Sequence, residues 1–253
     1  MRRGYIREIF LKRPLPEESY LSALPALAPL LAGQRLSFDA PVTFLVGENG
    51  TGKSTLLEAI AVACGFNAEG GSRNFSFSTR ATHSSLWEYL TVSRSRYPRD
   101  GFFLRAESLY NAATYIDELD EAPGMGTRLI DSYGGTSLHK QSHGESFLAL
   151  VQNRFGGEGL YLLDEPEAAL SPTRQLTLLG EMDRLVKADS QLIIATHSPI
   201  LMAFPGACIY QLSEEGIQPV DYRKTEHYAL TRRFLEDPER MLSYLFREDS
   251  DEI

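Results

Sequence analysis

Short apolar runs alternate with stretches of helical spacing along most of this chain. Residues 5–11 read as a strand, and a proline-rich connection leads to a second strand around 35–38. Val42-Thr43-Phe44-Leu45-Val46 is a continuous apolar run closed by glycine, which suits a parallel strand buried on both faces. Beyond Lys53, the residues Leu56, Leu57, Ile60 and Ala61 fall at helical spacing, and Gly65 supplies the stop. Residues 86–90 are a helical candidate, 102–104 a strand, and 146–155 a helix. Between them, 124–144 is a loop-like segment with five glycines. Two further apolar strands, 160–163 and 192–195, flank a helix over about 173–187. Residues 209–212 and 218–222 read as a closing hairpin pair, and two short helices meet around Pro238. No internal repeat is visible.

Strands alternating with helices predict an α/β fold with a mostly parallel sheet, and ligands at the carboxyl ends of its strands. At 253 residues the chain forms one substantial core without a division into domains, so 1–253 is read as a single unit. Its acidic tail, 248–253, reads as a solvated end. A net charge of −9 argues against a surface that binds nucleic acid or acidic membranes all over, but not against a local basic patch. Such an island stands between residues 70 and 106, where Arg73, Arg80, Arg94, Arg96, Arg99 and Arg105 face only Glu88 and Asp100. It reads equally as a docking site for nucleic acid or an acidic partner and as a solvated face.

Cys64 and Cys208 lie far apart without metal-ligand spacing, so no disulfide framework is implied. No apolar stretch reaches spanning length, and Pro25 and Pro29 break the 21–31 run that would resemble a signal peptide. A cytoplasmic protein is expected, with no direct insertion into a membrane.

Gly47-Glu48-Asn49-Gly50-Thr51-Gly52-Lys53-Ser54-Thr55 fits G-x-x-x-x-G-K-[ST] between a strand and a helix. Its glycines let backbone N–H groups turn inward around phosphate oxygens, where the helix dipole adds its positive end. Lys53 would reach the β- and γ-phosphates, and the Ser54 hydroxyl would ligate Mg²⁺. Asp164 ends the apolar run Leu160-Tyr161-Leu162-Leu163, which places its carboxylate beside that ion. Glu165 follows on the γ-phosphate side as a candidate general base; otherwise 165–167 simply begin a turn. Ser142-x-x-Glu145 is a capping box whose open N–H groups and hydroxyl also suit a phosphate offered from outside. His197 follows the apolar strand 192–195; alone it reads as a turn residue, and beside the two preceding motifs as a neutral imidazole near the γ-phosphate. Ser171-Pro172 reads as an N-cap with proline at the first helical position.

With these residues read, the chain resembles the ABC-type ATPase superfamily, and within it the SMC- and RecF-like members without a transmembrane domain. The resemblance rests on GENGTGKST (Walker A), QSHGES (signature), LYLLDEPE (Walker B), ALSPTRQ (D-loop) and ATHSP (H-loop), in that order over most of the chain. It implies a P-loop NTPase fold with a small antiparallel β part and a reduced helical subdomain over about 108–156. It also implies Mg²⁺-dependent hydrolysis of ATP and a head-to-tail homodimer with two nucleotides between its subunits. Glu48, Asn49, Gly50, Thr51, Gly52, Lys53, Ser54 and Thr55 would hold ATP in cis. Ser142, Gly144 and Glu145 would touch the γ-phosphate in trans, while Glu165 and His197 serve catalysis.

Three departures stand out. Glu145 brings negative charge toward a phosphate unless it is neutralised, caps its helix or turns away. The usual Q-loop glutamine is missing, which makes Glu107 a candidate for that position near Mg²⁺ with Ser54 and Asp164. No clear adenine-stacking aromatic is present, and Phe10, Phe38 and Arg13 are the candidates. The expected role is an ATP-driven dimer switch in DNA repair, maintenance or defence. The alternatives are the energising subunit of a transporter with separate membrane chains, or a nucleotide-gated binding module with little turnover.

Overall fold

The computed structural model describes residues 4–16, 18–73, 84–107, 109, 113–114, 116–117, 120 and 129–246. Arg80, the acidic tail and most of 108–128 lie outside the described residues. The central sheet has the order β5-β6-β7-β3-β8-β9. These strands are Asp100–Arg105 (β5), Gly159–Asp164 (β6), Gln191–Ala195 (β7), Val42–Val46 (β3), Cys208–Ser213 (β8) and Gly216–Pro219 (β9). All neighbours pair in parallel except β8 and β9, which form the closing antiparallel hairpin. A second, antiparallel sheet has the order β2-β1-β4, with β1 Ile6–Leu11, β2 Leu36–Ser37 and β4 Leu90–Arg94.

Side chains alternate across the central sheet and build one core on each face. Leu45, Phe103, Leu162 and Ile193 pack with the antiparallel sheet and with the helix Lys53–Ala63 (α2), which follows the short α1, Ala28–Leu31. Phe44, Phe102, Tyr161, Leu163 and Ile194 face the other way, toward His143–Arg154 (α3) and Pro172–Lys187 (α4). Each fully buried Leu, Ile or Phe contributes roughly 1.5–3 kcal/mol, which suits the mostly apolar sequences of β3, β6 and β7, buried along their whole length. The chain ends in two helices, Glu226–Glu236 (α5) and Pro238–Leu245 (α6). No helix among the described residues is long and apolar enough to cross a membrane.

Two expectations need correction. Residues 86–90 are not an α-helix: a 3-10 turn, Ser85–Glu88, hands over to β4, which pairs along the whole edge of β1. That long-range edge outweighs a weak local helical pattern. The helix expected at 146 starts at His143, because Ser142 caps it there.

The register of the central sheet positions everything that follows. Arg105 pairs with Asp164, Asp164 with Ala195, and Ala195 with Leu45, so four strands reach the same row before leaving the sheet. The row continues through hydrogen bonds from Ala106 N–H to Asp164 O, Glu165 N–H to Ala195 O and Thr196 N–H to Leu45 O.

Candidate functional site

The loop after β3 leaves the sheet at this row and winds into α2. Gly47 has φ +146°, and a Cβ there would collide with the Leu212 carbonyl of β8, so only glycine lets the loop turn this close to the sheet. The Lys53 ammonium is folded back onto the loop, donating to Gly47 O at 2.8 Å and Glu48 O at 2.9 Å. Burial pushes its pKa down, against the opposing pull of Glu165, Asp164, Glu48 and Glu167. A cation held among its own loop's carbonyls is ready for an anion to displace them.

Ser54 and Asp164, far apart in sequence, meet beside this loop. The Ser54 hydroxyl donates to Asp164 Oδ1 at 2.9 Å. Burial pushes the Asp164 carboxyl up to about 6, while Arg105 and the Ser54 hydroxyl pull the other way. A hydroxyl and a buried carboxylate are hard oxygen donors of the kind Mg²⁺ takes, with the rest of its shell left for phosphates and water. Among the described residues no group of three or more His, Cys, Asp or Glu forms an all-protein metal cage. The donor set therefore fits Mg²⁺ arriving with a nucleotide.

Glu107 lines the same cavity, of about 300 Å³, as Ser54, Asp164 and Glu165. Its carboxylate, however, lies 2.5 Å from Arg105 Nη2 and is largely exposed. Arg105 occupies the inner position: Nη1 donates to Glu58 at 2.9 Å, and Nε stands 3.5 Å from Asp164 Oδ2.

Glu165 leaves β6 with φ 47° and ψ 53°, a left-handed conformation rare for a residue with a side chain. Its Oε1 lies 3.7 Å from His197 Nε2. That nitrogen is buried without a hydrogen-bond partner. Two carboxylate bonds hold the turn carrying His197: the Thr196 hydroxyl donates to Glu167 Oε2 at 2.7 Å, and His197 N–H donates to Glu167 Oε1 at 2.5 Å. The sequence suggested only a turn residue at 167. Ser198, in the same turn, donates to Gln175 Oε1 of α4 at 2.5 Å.

The start of α3 stands on other elements. Ser142 N–H and its hydroxyl both donate to Glu145 Oε2, at 2.9 and 2.6 Å. Arg174, in the first turn of α4, donates from Nη1 to Ser142 Oγ at 3.1 Å and from Nη2 to Glu145 Oε1 at 3.0 Å. Gly144 allows this approach, since a Cβ there would be 2.5 Å from Arg174 Nη1 and 2.8 Å from Ala169 O. Glu145 is thus both a cap and a neutralised charge.

The remaining candidates have contacts of their own. Phe38 is buried in the core and cannot stack a base, while Phe10 lies under the Arg35 guanidinium and Arg13 over the Tyr89 ring. A cavity of about 360 Å³ beside the phosphate loop is lined by Pro25, Asn49, Gln211, Glu214 and Glu226. The five described arginines of the island each make a contact within the fold, and Arg99 remains 82% exposed. Arg96 pairs with Asp189, Arg99 with Glu158 and Arg105 with Glu58, while Arg94 donates to Ala63 O and Arg73 lies over the Phe66 ring.

A family model described as "AAA domain" matches residues 29–98, and one described as "AAA domain, putative AbiEii toxin, Type IV TA system" matches 116–203. The chain is 28% identical over 199 residues to an ABC transporter ATP-binding protein of Haemophilus influenzae, covering 70% of this chain and 72% of that protein. It is 26% identical over 204 residues to the cobalt import ATP-binding protein CbiO of Salmonella typhi, covering 75% and 74%. Among solved structures it superposes on cbiO1 of Clostridium perfringens, part of the ABC transporter complex cbiONQ. The TM-score is 0.54 at 15% identity, with 97% of this chain and all of that chain covered. At that identity the likeness carries the fold.

Proposed function

We propose that this chain is an ABC-type ATPase, a reading supported by its partial family matches, its relatives and its fold, and that it binds and hydrolyses Mg·ATP as a nucleotide-driven dimer. The observation that carries this reading is the 2.9 Å bond between Ser54 and Asp164, which joins the phosphate loop to the acidic strand end beside Glu165 and His197. The N–H groups of 48–55 would cradle the phosphates, and Lys53 would exchange two carbonyls for phosphate oxygens. Ser54 and Asp164 would hold Mg²⁺, with Glu107 at the cavity wall; the ion would neutralise phosphate charge. Glu165 would take the proton of the attacking water, and His197 would present Nε2 to the γ-phosphate.

The dimer enters because the two halves of a nucleotide clamp stand on separate elements. Ser142 and Glu145 are engaged by Arg174, with Gly144 between them, whereas the phosphate loop is engaged by Asp164 through Ser54. Two copies arranged head to tail would bring one chain's helix start to the other's nucleotide. Size-exclusion of Glu165→Gln with and without Mg·ATP tests this. Dimers should accumulate only with nucleotide, and a monomer at saturating Mg·ATP would overturn the shared site.

The role we favour is a dimer switch in DNA repair, maintenance or defence. The toxin–antitoxin description of the model matching 116–203 supports defence. The names of the transporter relatives favour the second reading, an energising subunit recruited by separate membrane chains. Co-fractionation with membranes separates the two.

A further inference from the structure

We infer that His227, in the first turn of α5, is a positioning residue that holds the His197 imidazole with its proton on Nε2. The inference rests on the ATPase reading for the meaning of that proton, and on geometry for its location. His197 Nδ1 and His227 Nε2 are 3.0 Å apart, with the ring planes inclined at 60°. The contact is a nitrogen-to-nitrogen hydrogen bond, so one ring donates and the other accepts.

The surroundings keep both rings neutral. Burial first, and then Lys53, hold the His197 pKa below the ordinary histidine value. Burial and His197 do the same for His227. The charged groups facing the pair are Lys53 from α2, Glu165 after β6, Glu48 from the phosphate loop and Glu226 beside His227. A neutral imidazole carries one N–H, so the bridge admits two arrangements. In one, His227 Nε2–H donates to His197 Nδ1, and the His197 proton sits on Nε2. In the other, His197 donates from Nδ1 and leaves a bare lone pair on Nε2.

What lies beyond Nε2 selects the first. That nitrogen is buried, has no hydrogen-bond partner and faces Glu165 Oε1 at 3.7 Å. An N–H there meets acceptors: the carboxylate now, and the γ-phosphate when nucleotide is bound. A lone pair there would meet only anionic oxygen. The hydrogen bond on one imidazole nitrogen sets the state of the other.

His227 is placed deliberately close. Thr225, fully buried, caps α5 by accepting from Tyr228 N–H at 3.4 Å and donates its hydroxyl to Tyr222 O at 2.8 Å. The Tyr222 hydroxyl donates to Pro199 O, two residues beyond His197, at 2.9 Å. The start of α5 is therefore tied to the same turn that presents His197, although none of the helix's own residues is buried.

The test begins with the intact protein. In ¹⁵N-histidine-labelled chain, NMR should show a scalar coupling across the bridge, with the proton on His227 Nε2 and on His197 Nε2. A proton found on His197 Nδ1, or no bridge at all, overturns the inference without reference to activity. In parallel, His227→Leu should lower kcat for ATP about tenfold with KM nearly unchanged. His227→Gln, which keeps a donor nitrogen, should restore most of the loss. Equal loss in both variants, or none in His227→Leu, also overturns it. A wild-type protein that hydrolyses no ATP would remove the ATPase reading while the NMR result still decides the bridge.

Discussion

Arg174 Nη2 lies 3.0 Å from Glu145 Oε1, at the helix start where a partner's phosphate would be received. The same guanidinium reaches Ser142 Oγ, so one cation covers the acid that would otherwise repel a nucleotide. Hydrogen bonds from the Ser142 hydroxyl and N–H, followed by Arg174, hold the Glu145 carboxyl below its usual range. The acid stays charged and stays paired.

Arg174→Ala should therefore weaken ATP-dependent dimerisation in a Glu165→Gln background by roughly tenfold, the size of one charge-assisted hydrogen bond. Adding Glu145→Gln should recover most of it by removing the uncovered charge. Analytical ultracentrifugation over an ATP series reads both. An unchanged dimerisation midpoint in Arg174→Ala would discard the neutralising role.

Asp164 links pH to stability in the protein without Mg²⁺ and nucleotide. Its folded pKa of about 6 exceeds the ordinary 3.8, so the folded state binds the extra proton between these values. Stability from this group is present at pH 4 and is lost as pH rises through 6. Asp164→Asn should then raise urea-unfolding stability at pH 7 by about 1–3 kcal/mol, and by only about 0.5 kcal/mol at pH 4. It should also abolish ATP hydrolysis. A variant less stable than wild type at pH 7 would contradict the assigned strain.

Arg105 opposes that strain. It is mostly buried between Glu58 and Asp164, whose side chains are only 12% and 6% exposed. Arg105→Met leaves both acids without their cation and should cost about 2–4 kcal/mol in urea unfolding at pH 7. Glu58→Gln in the same chain should return part of the loss. Wild-type stability in Arg105→Met would show the pairing to be inconsequential.

Glu167 ties the turn of His197 to the end of β6 through two short bonds. In Glu167→Gln only one of the two donors keeps an acceptor oxygen. We expect kcat to fall about tenfold, the effect of one buried hydrogen bond, with ATP affinity within twofold. Steady-state kinetics alongside nucleotide titration measures this, and an equal loss in both quantities would point to misfolding instead.

The phosphate loop and the acidic strand end are legible in the sequence because each needs its residues consecutively. A glycine-rich turn between an apolar strand and a helix fixes its backbone within about ten positions, and Asp164 follows directly from the run that buries β6. The capping box is local in the same way. β4 was not legible, since residues 90–94 become a strand only against the edge of β1. Phe38 looks like any other aromatic until packing buries it.

A parallel α/β core, the phosphate loop and the order of motifs behind the resemblance to ABC-type ATPases were all legible in the amino-acid order. Tertiary structure decided which charges and protons those motifs carry. Arg174 meets Glu145 across 29 positions, His227 meets His197 across 30, and Arg105 reaches Glu58 across 47. These separations span whole strands and helices, and no spacing rule reaches across them. Sheet register and helix packing set the partner, and the partner sets the electrostatics of the site.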